Sequence, residues 1–464
     1  PRPGVGIVHL GLGAFYRAFG AIYVAEAMAA SGGDWGIVGV SLKSPKTRDA
    51  LAPQNWAYTS VTLAESGEST QVIDVLEDVL VAPEDPAAVL EAMADPGVRI
   101  VSLTVTEKGY CHNPATGELA LDHPDIAHDL RQELPRSAPG FLVRALARRR
   151  ADGVAPFTVL SCDNLPENGA LVRKIVLDFA HLIDPSLAQW IAGNARFPAT
   201  MVDRITPATT PNDIARVTAM TGLYDGAPVL HEPFRQWVIE DNFVEGVRPD
   251  FEAVSIEMVK DVTGFEQMKL RMLNGSHSAL AYLGYLAGHE TVSDTVADPA
   301  FTAYVRQLWG EIMPVVRAPQ GFDLHDYAQA LMERYANPKI RHRTWQIAMD
   351  GSQKLPQRLL SSLEANIAAG KPAPGLCLAV AAWMYYVGGI DQSGRPIEVK
   401  DPMAERLRAL SDAANTPADK VAALLSLSEI FSPELAETLK APVTEAAQIL
   451  WTQGARQAAL QVVT

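Results

Sequence analysis

Through the first half of the chain, short apolar runs alternate with longer segments of helical length. Gly6 to Leu10, Trp35 to Ser41, Arg99 to Thr106 and Pro156 to Ser161 read as strands, and Ala18 to Ala30 reads as a helix. Strands alternating with helices predict a parallel sheet wrapped by helices. From about Phe251 onward the strand signal fades. Long segments of helical apolar periodicity take over, with Pro314, Pro338 and the run Lys371 to Gly375 punctuating their ends. The most apolar window, Leu376 to Ile390, is too short to cross a bilayer, so a buried core helix is expected.

The first strand, Ile7-Val8-His9-Leu10, ends in Gly11-Leu12-Gly13-Ala14-Phe15-Tyr16. Glycine at 11 permits a tight turn. Glycine at 13 lets the backbone approach a pyrophosphate, which then lies on the positive N-terminus of the next helix. Gly11, Gly13, Ala14 and Phe15 are therefore candidates for holding a dinucleotide. Tyr16 stands at the third glycine position, so the fingerprint is incomplete. The second strand ends in Val40-Ser41-Leu42-Lys43-Ser44-Pro45-Lys46, without the acidic residue that holds ribose hydroxyls in many such sites. Ser41 closes that strand as a further cofactor candidate. The lysines could neutralise a ribose 2′-phosphate or be solvated, which leaves NAD and NADP both open.

Together these patterns predict an α/β Rossmann-type dinucleotide-binding domain over residues 1–258. A mostly α-helical C-terminal domain, carrying substrate and catalytic groups, is expected over residues 259–464. Two domains suit a chain of 464 residues with 48% hydrophobic and 20% charged positions. A formal charge of -15 disfavours an electrostatic grip on nucleic acid or an anionic membrane. Three cysteines, Cys111, Cys162 and Cys377, cannot form a disulfide framework. With no segment of the signal-peptide kind before the first strand, a cytoplasmic location is expected. No compact Cys and His ligand set is present, and Cys111-His112 reads as a loop pair, so no metal is expected.

The stretch Glu266 to His277 is the most informative in the chain. On a uniform α-helix with Lys269 at zero, Glu266 falls at about 60°, His277 at about 80° and Asn274 at about 140°. Four polar side chains then share a face that also holds Leu270 and Leu273. A lysine among apolar neighbours has a lowered pKa and can exchange protons near neutrality. Hydride transfer from a secondary alcohol needs such a base for the hydroxyl proton and amides for the developing alkoxide. A polar helix face of this kind is, by pattern alone, more often solvated than catalytic.

Lys269, Asn274 and His277 reproduce the K-x4-N-x2-H signature of the polyol-specific long-chain dehydrogenases, the mannitol dehydrogenase family, which this chain resembles. Gly11 to Ala18, Ser161 to Gly169, Met201 to Ile205 and Glu232 to Trp237 are similar to other family segments, so the resemblance spans nearly the whole chain. It implies Lys269 as general acid and base, with Asn164 and Asn274 holding the reacting oxygen. His277 and Asp203 would contact substrate hydroxyls, and Glu266 would relay protons to solvent. Thr106 and Glu107, after the third strand, would lie near the cofactor, which is expected to be NAD, with NADP not excluded. The family works without metal, and its members are often monomers, so a monomer or weak homo-oligomer is expected. Where this chain has Phe19 the family commonly carries His, a change expected to alter loop packing rather than chemistry.

Thr106 to Tyr110, Lys269 to Gly284 and Arg341 to Arg358 are similar to the members of the family that reduce D-fructuronate to D-mannonate. Fructuronate differs from fructose by a terminal carboxylate, and Lys354 or Arg358, with Lys108, is expected to receive it. The competing readings are a neutral polyol such as mannitol, arabinitol or sorbitol as substrate, a non-catalytic NADH sensor, and a zinc alcohol dehydrogenase. Intact Lys269, Asn164 and Asn274 argue against the sensor, and the missing ligand clusters against zinc. The partner throughout is a small sugar acid or polyol.

Overall fold

A computed structural model describes residues 2–113 and 116–463, and the chain divides into two compact units, the first ending at Thr263 and the second starting at Gly264. The N-terminal unit is built on five parallel strands, β1 (Val5–Leu10), β2 (Gly36–Ser41), β5 (Leu76–Val81), β6 (Ile100–Leu103) and β7 (Thr158–Ser161), in the order β5-β2-β1-β6-β7. β2, β6 and β7 are buried along their whole length, so their small hydroxyl residues are enclosed with the apolar ones and no polar-out alternation appears. Alternate residues of β1 feed different cores: Val8 and Leu10 join Phe141 and Leu142 in one, while Ile7 joins Ile22 and Trp237 in the other.

The chain proceeds outward from β1 through β2 to β5, then returns to β6 on the other side of β1. The reversal makes the space beyond the carboxyl ends of β1 and β6 the topological switch point, where doubly wound sheets bind ligands. β5 is absent from the sequence expectation because its alternating Leu-Glu-Asp-Val-Leu-Val lacks an apolar run. The segment Thr106–Gly109 therefore follows the fourth strand of this sheet rather than the third. Two three-stranded sheets complete the unit, one of β4 (Gly67–Ile73), β3 (Tyr58–Ala64) and β9 (Val229–His231), the other of β11 (Glu257–Val259), β10 (Gln236–Glu240) and β8 (Thr200–Asp203).

The one polar side chain inside β1, His9, is fully buried and satisfied. Nδ1 lies 2.8 Å from Ser102 Oγ and Nε2 lies 2.8 Å from Thr104 Oγ1. The ring of Tyr16 stacks on it at 3.3 Å. A large residue at the third glycine position thus serves to roof a buried histidine, and burial holds that imidazole neutral.

The C-terminal unit is helical apart from turns and isolated bridges among the described residues. Two helices form its interior. Ser276–Leu286 and Pro374–Val387 pack together and are buried on nearly every side, as the unbroken apolar sequence around Leu376 to Ile390 predicts. No described helix is long and apolar enough to cross a membrane.

Phe19 is fully buried against Phe15, Tyr23 and Trp237, with ring centroids 5.2–5.3 Å away. Phe19→His would bury an imidazole without a hydrogen-bond partner, so it should lower unfolding stability by about 1–3 kcal/mol. Denaturant unfolding checks this, and unchanged stability would contradict the packing role.

Candidate active site

The dinucleotide loop is pinned at its start. Gly11 and Leu12 both donate their N–H to the Val40 carbonyl, at 2.9 and 3.1 Å, and Thr104 Oγ1 donates to the Gly11 carbonyl at 2.9 Å. Gly11 has φ +89°, and a Cβ there would come within 2.3 Å of the Thr104 carbonyl, so only glycine fits. A Cβ at Gly13 would meet only the Gly11 carbonyl, at an ordinary 3.8 Å, so the backbone before Ala14 and Phe15 is approachable, as a pyrophosphate requires. Ser41 is buried at the carboxyl end of β2, where its carbonyl accepts from Ala82 N–H. Beside it a groove of about 620 Å³ opens past the ends of β2 and β5, lined by Leu42, Lys43, Pro83, Asp125, His128 and Arg136. Its place beyond the strand ends on the β2 side suits the nucleoside half of a dinucleotide, and the loop and groove together fit that cofactor.

On the β6 side, one buried carboxylate organises the loop. Asp163 accepts hydrogen bonds from the N–H groups of Val105 and Thr106, both at 2.9 Å, and from Tyr110 Oη at 2.7 Å. Burial raises its pKa and these three donors oppose the rise. They also hold Thr106 in the left-handed region, at φ +62°, with Glu107 and the exposed Lys108 following on the short helix Thr106–Gly109. Asn164 is next to Asp163 and exposed. Asn168 then ties this segment to β8: its Nδ2 donates to the carbonyls of Asp163 (3.0 Å) and Thr200 (2.9 Å), and its Oδ1 accepts from Thr200 N–H (3.0 Å). Asp203, the buried last residue of β8, is carried on that strand.

The remaining site candidates lie in the C-terminal unit. Glu266 is on the helix Thr263–Met268, and Lys269–Gly275 continues it as a π-helix rather than an α-helix. That corrects the uniform winding assumed from the sequence. A turn closed by i→i+5 bonds winds less per residue, so Asn274, five residues on, comes round nearer to Lys269 than an α-helix allows. Side chains catch carbonyls of the widened turn: Trp309 Nε1 donates to Met272 O at 3.1 Å and Tyr335 Oη to Leu273 O at 2.9 Å. Lys269, Asn274 and His277 are only 6%, 7% and 7% exposed, which excludes a solvated polar face.

A second π-turn, Pro356–Leu360, packs on the first. Gly275 makes this possible, since a Cβ there would lie 2.6 Å from the Arg358 carbonyl. Arg358 Nη1 donates to Ser278 Oγ at 3.1 Å, and Lys354 Nζ to the Met349 carbonyl at 2.6 Å. His277 feels His342, Arg358, Arg334 and Lys354, and burial with these neighbours holds it neutral. Among the described residues no cluster of His, Cys, Asp and Glu is placed to hold a metal ion.

Comparison with known proteins agrees with both halves of this geometry. Residues 5–253 match the mannitol dehydrogenase Rossmann domain and residues 261–451 the mannitol dehydrogenase C-terminal domain. The chain belongs to the mannitol dehydrogenase family. It is therefore an oxidoreductase of the kind that acts on CH–OH groups. It is 48% identical to the D-mannonate oxidoreductase of Escherichia coli (strain K12), with 97% of this chain and 94% of that one covered. It is 43% identical to a mannitol 2-dehydrogenase of Aspergillus fumigatus, over 93% of this chain and 87% of that one. Among solved structures, Pseudomonas fluorescens mannitol 2-dehydrogenase in ternary complex with NAD and D-mannitol matches with a TM-score of 0.89 at 38% identity, over 99% of this chain and 94% of that one.

Within this family frame, several segments that carried the resemblance are scaffolding in the N-terminal unit. Arg17 donates to the Ala227 carbonyl, Arg204 to the carbonyls of Ala18 (2.8 Å) and Glu232 (3.2 Å), and Glu232 Oε1 accepts from Ile205 N–H (2.6 Å). Sequence reasoning missed Asp163, Asn168, Arg334 and His342. Asp163 adjoins Asn164 and His342 lies within Arg341 to Arg358, but their neighbours come from distant parts of the chain. Gly275→Ala should push the two π-turns apart, lowering stability by about 1–3 kcal/mol and reducing kcat/KM. Denaturant unfolding with parallel initial rates tests it, and a variant equal to the parent in both would contradict the close approach.

Proposed function

We propose that this enzyme interconverts D-fructuronate and D-mannonate with NAD as cofactor and Lys269 as general acid and base. The observation that carries the substrate choice is the cationic pair Lys354 and Arg358, largely buried in the C-terminal unit, whose charges both act on His277. Two positively charged hydrogen-bond donors, both largely desolvated, favour a carboxylate, which fructuronate has and fructose lacks. The similarity to the Escherichia coli D-mannonate oxidoreductase points the same way.

The nicotinamide, when bound, supplies or takes up a hydride. Everything else falls to the chain. In reduction Lys269 gives its proton to the carbonyl oxygen as that oxygen becomes an alkoxide; in oxidation it removes the hydroxyl proton. Asn164 and Asn274 are assigned to hold the same oxygen through their amide donors, which bind an alkoxide more tightly than a carbonyl. Glu266 is assigned to pass the proton between Lys269 and solvent, and Asp203 and His277 to hold the neighbouring hydroxyls. Lys108 is a further candidate for the carboxylate. Gly11, Gly13, Ala14, Phe15, Ser41, Thr106 and Glu107 are assigned to the dinucleotide, with NAD favoured by the NAD-bound Pseudomonas fluorescens relative.

A neutral polyol is the second reading, favoured by that same relative, which was solved with D-mannitol. Under the uronate reading, Arg358→Met should raise KM for D-fructuronate roughly ten- to hundredfold, as loss of one charged hydrogen bond implies, with a smaller effect on D-fructose. Lys269→Ala should lower kcat by about 10²–10⁴-fold on both substrates. NADH absorbance follows both variants, and equal KM effects on the two ketoses would remove Arg358 from the carboxylate.

Lys354 adds a pH signature. Burial, with help from Arg358, pushes its ammonium down to about 8, so it loses its proton and its hold on an anion as pH rises through that value. The ratio of kcat/KM for fructuronate to that for fructose cancels the titration of Lys269, which both substrates share. That ratio should fall above pH of about 8 in the parent enzyme and stay flat in Lys354→Met. A flat ratio in the parent would contradict the role of Lys354.

A further inference from the structure

Two ring nitrogens in the C-terminal unit are enclosed by protein without a hydrogen-bond partner: Nε2 of His277 and Nδ1 of His342. Buried polar atoms are nearly always paired, so an unpaired couple in one place calls for a ligand. The rings lie 4.8 Å apart, centroid to centroid, and close to perpendicular at 83°. Both are fixed by their surroundings. The His342 carbonyl accepts from Val292 N–H at 3.0 Å, and the adjacent Arg343 bridges to Thr291. His277 stacks on Tyr335 at 5.0 Å.

The charged groups that face the two rings come from separate elements and share one sign. Arg334 projects from the helix Leu324–Ala336, Lys354 from Gly351–Leu355 and Arg358 from the second π-turn. Asp350 and Asp401 act on Lys354, but Asp401 is already engaged by Ser352, which donates from N–H (2.8 Å) and Oγ (2.6 Å), and by Met403 N–H (2.9 Å). Burial and the surrounding cations hold both imidazoles neutral, with His342 pushed down to about 4. Lysine and arginine can only donate, whereas a neutral imidazole keeps one nitrogen that accepts. A ligand that offers a negative acceptor to the cations and a hydroxyl, which can donate to or accept from a ring nitrogen, would satisfy the whole group. An α-hydroxy acid carries both on adjacent carbons.

We infer that His342, alongside His277, receives the hydroxyl next to the carboxylate of an open-chain sugar acid, while Lys354 and Arg358 hold the carboxylate itself. This rests on the uronate reading and deepens it, naming His342 as a specificity-determining residue that separates sugar acids from neutral ketoses. A neutral ketose has nothing to draw its terminus toward the cations, so it depends less on His342.

The test compares His342→Phe and His342→Gln with the parent enzyme on D-fructuronate and D-fructose, using NADH absorbance, with thermal unfolding in parallel. Phenylalanine keeps the ring and removes the polar nitrogens; glutamine keeps an acceptor. We expect His342→Phe to raise KM for fructuronate by about tenfold or more, with kcat and fructose KM changed less, and His342→Gln to recover most of the loss. Equal losses on both substrates, tracked by falling thermal stability and not rescued by glutamine, would overturn the assignment as a merely structural role. A parent enzyme that prefers fructuronate, with both variants unchanged, would overturn His342 alone. A parent enzyme that prefers fructose would overturn the uronate reading and this inference together.

Discussion

The contact between two π-turns, closed by Gly275 against the Arg358 carbonyl, is the constraint on which the helical half of the site depends. An i→i+5 turn leaves carbonyls poorly served within the helix, and such turns persist where surrounding groups supply donors. Here Trp309 and Tyr335 supply them, and Ser276 Oγ donates back to Met272 and Leu273. The widened turn presents Lys269 and Asn274, while its neighbour presents Arg358 and, one turn earlier, Lys354. The proposed proton-transfer group and the proposed carboxylate-binding group thus sit on two turns packed against each other. Neither can shift without disturbing the other.

The N-terminal half depends on a different device. Loops at the carboxyl ends of a parallel sheet would be free to wander, yet Asp163 gathers three donors from the β6 loop and Asn168 bridges to β8. Those bonds hold Thr106 in a left-handed conformation that threonine rarely adopts unaided. The scaffold therefore spends buried polar groups where positions must be definite, and the apolar cores on the two faces of the sheet hold the rest.

Much of this was legible from residue pattern. Ile7 to Leu10 and Trp35 to Ser41 are apolar because both faces of their strands are covered, and Gly11 announces a turn whose backbone no other residue fits. Leu376 to Ile390 announces a core helix for the same reason of complete burial. β5 was not legible, because its acidic second and third positions break the apolar run while the strand still joins the sheet. The π-turn was not legible either, since apolar periodicity carries no mark of where i→i+4 bonding gives way. Asp163 meets Val105 and Thr106 across 58 and 57 residues, and His277 meets His342 through the fold alone, so neither partnership has a local signature. Asp163 and Asn168, which the motifs did not mark, act by holding loop backbone in place through bonds to residues far away in the chain.

The C-terminal unit is proposed to select an anionic sugar. The most direct measurement is the ratio of kcat/KM for D-fructuronate to that for D-fructose with the parent enzyme and NADH near neutral pH. A strong preference for fructuronate, about a hundredfold or more if two charged hydrogen bonds are made to its carboxylate, is the predicted result. Equal turnover of the two ketoses, or preference for fructose, would contradict it and leave the cationic cluster without its assigned ligand.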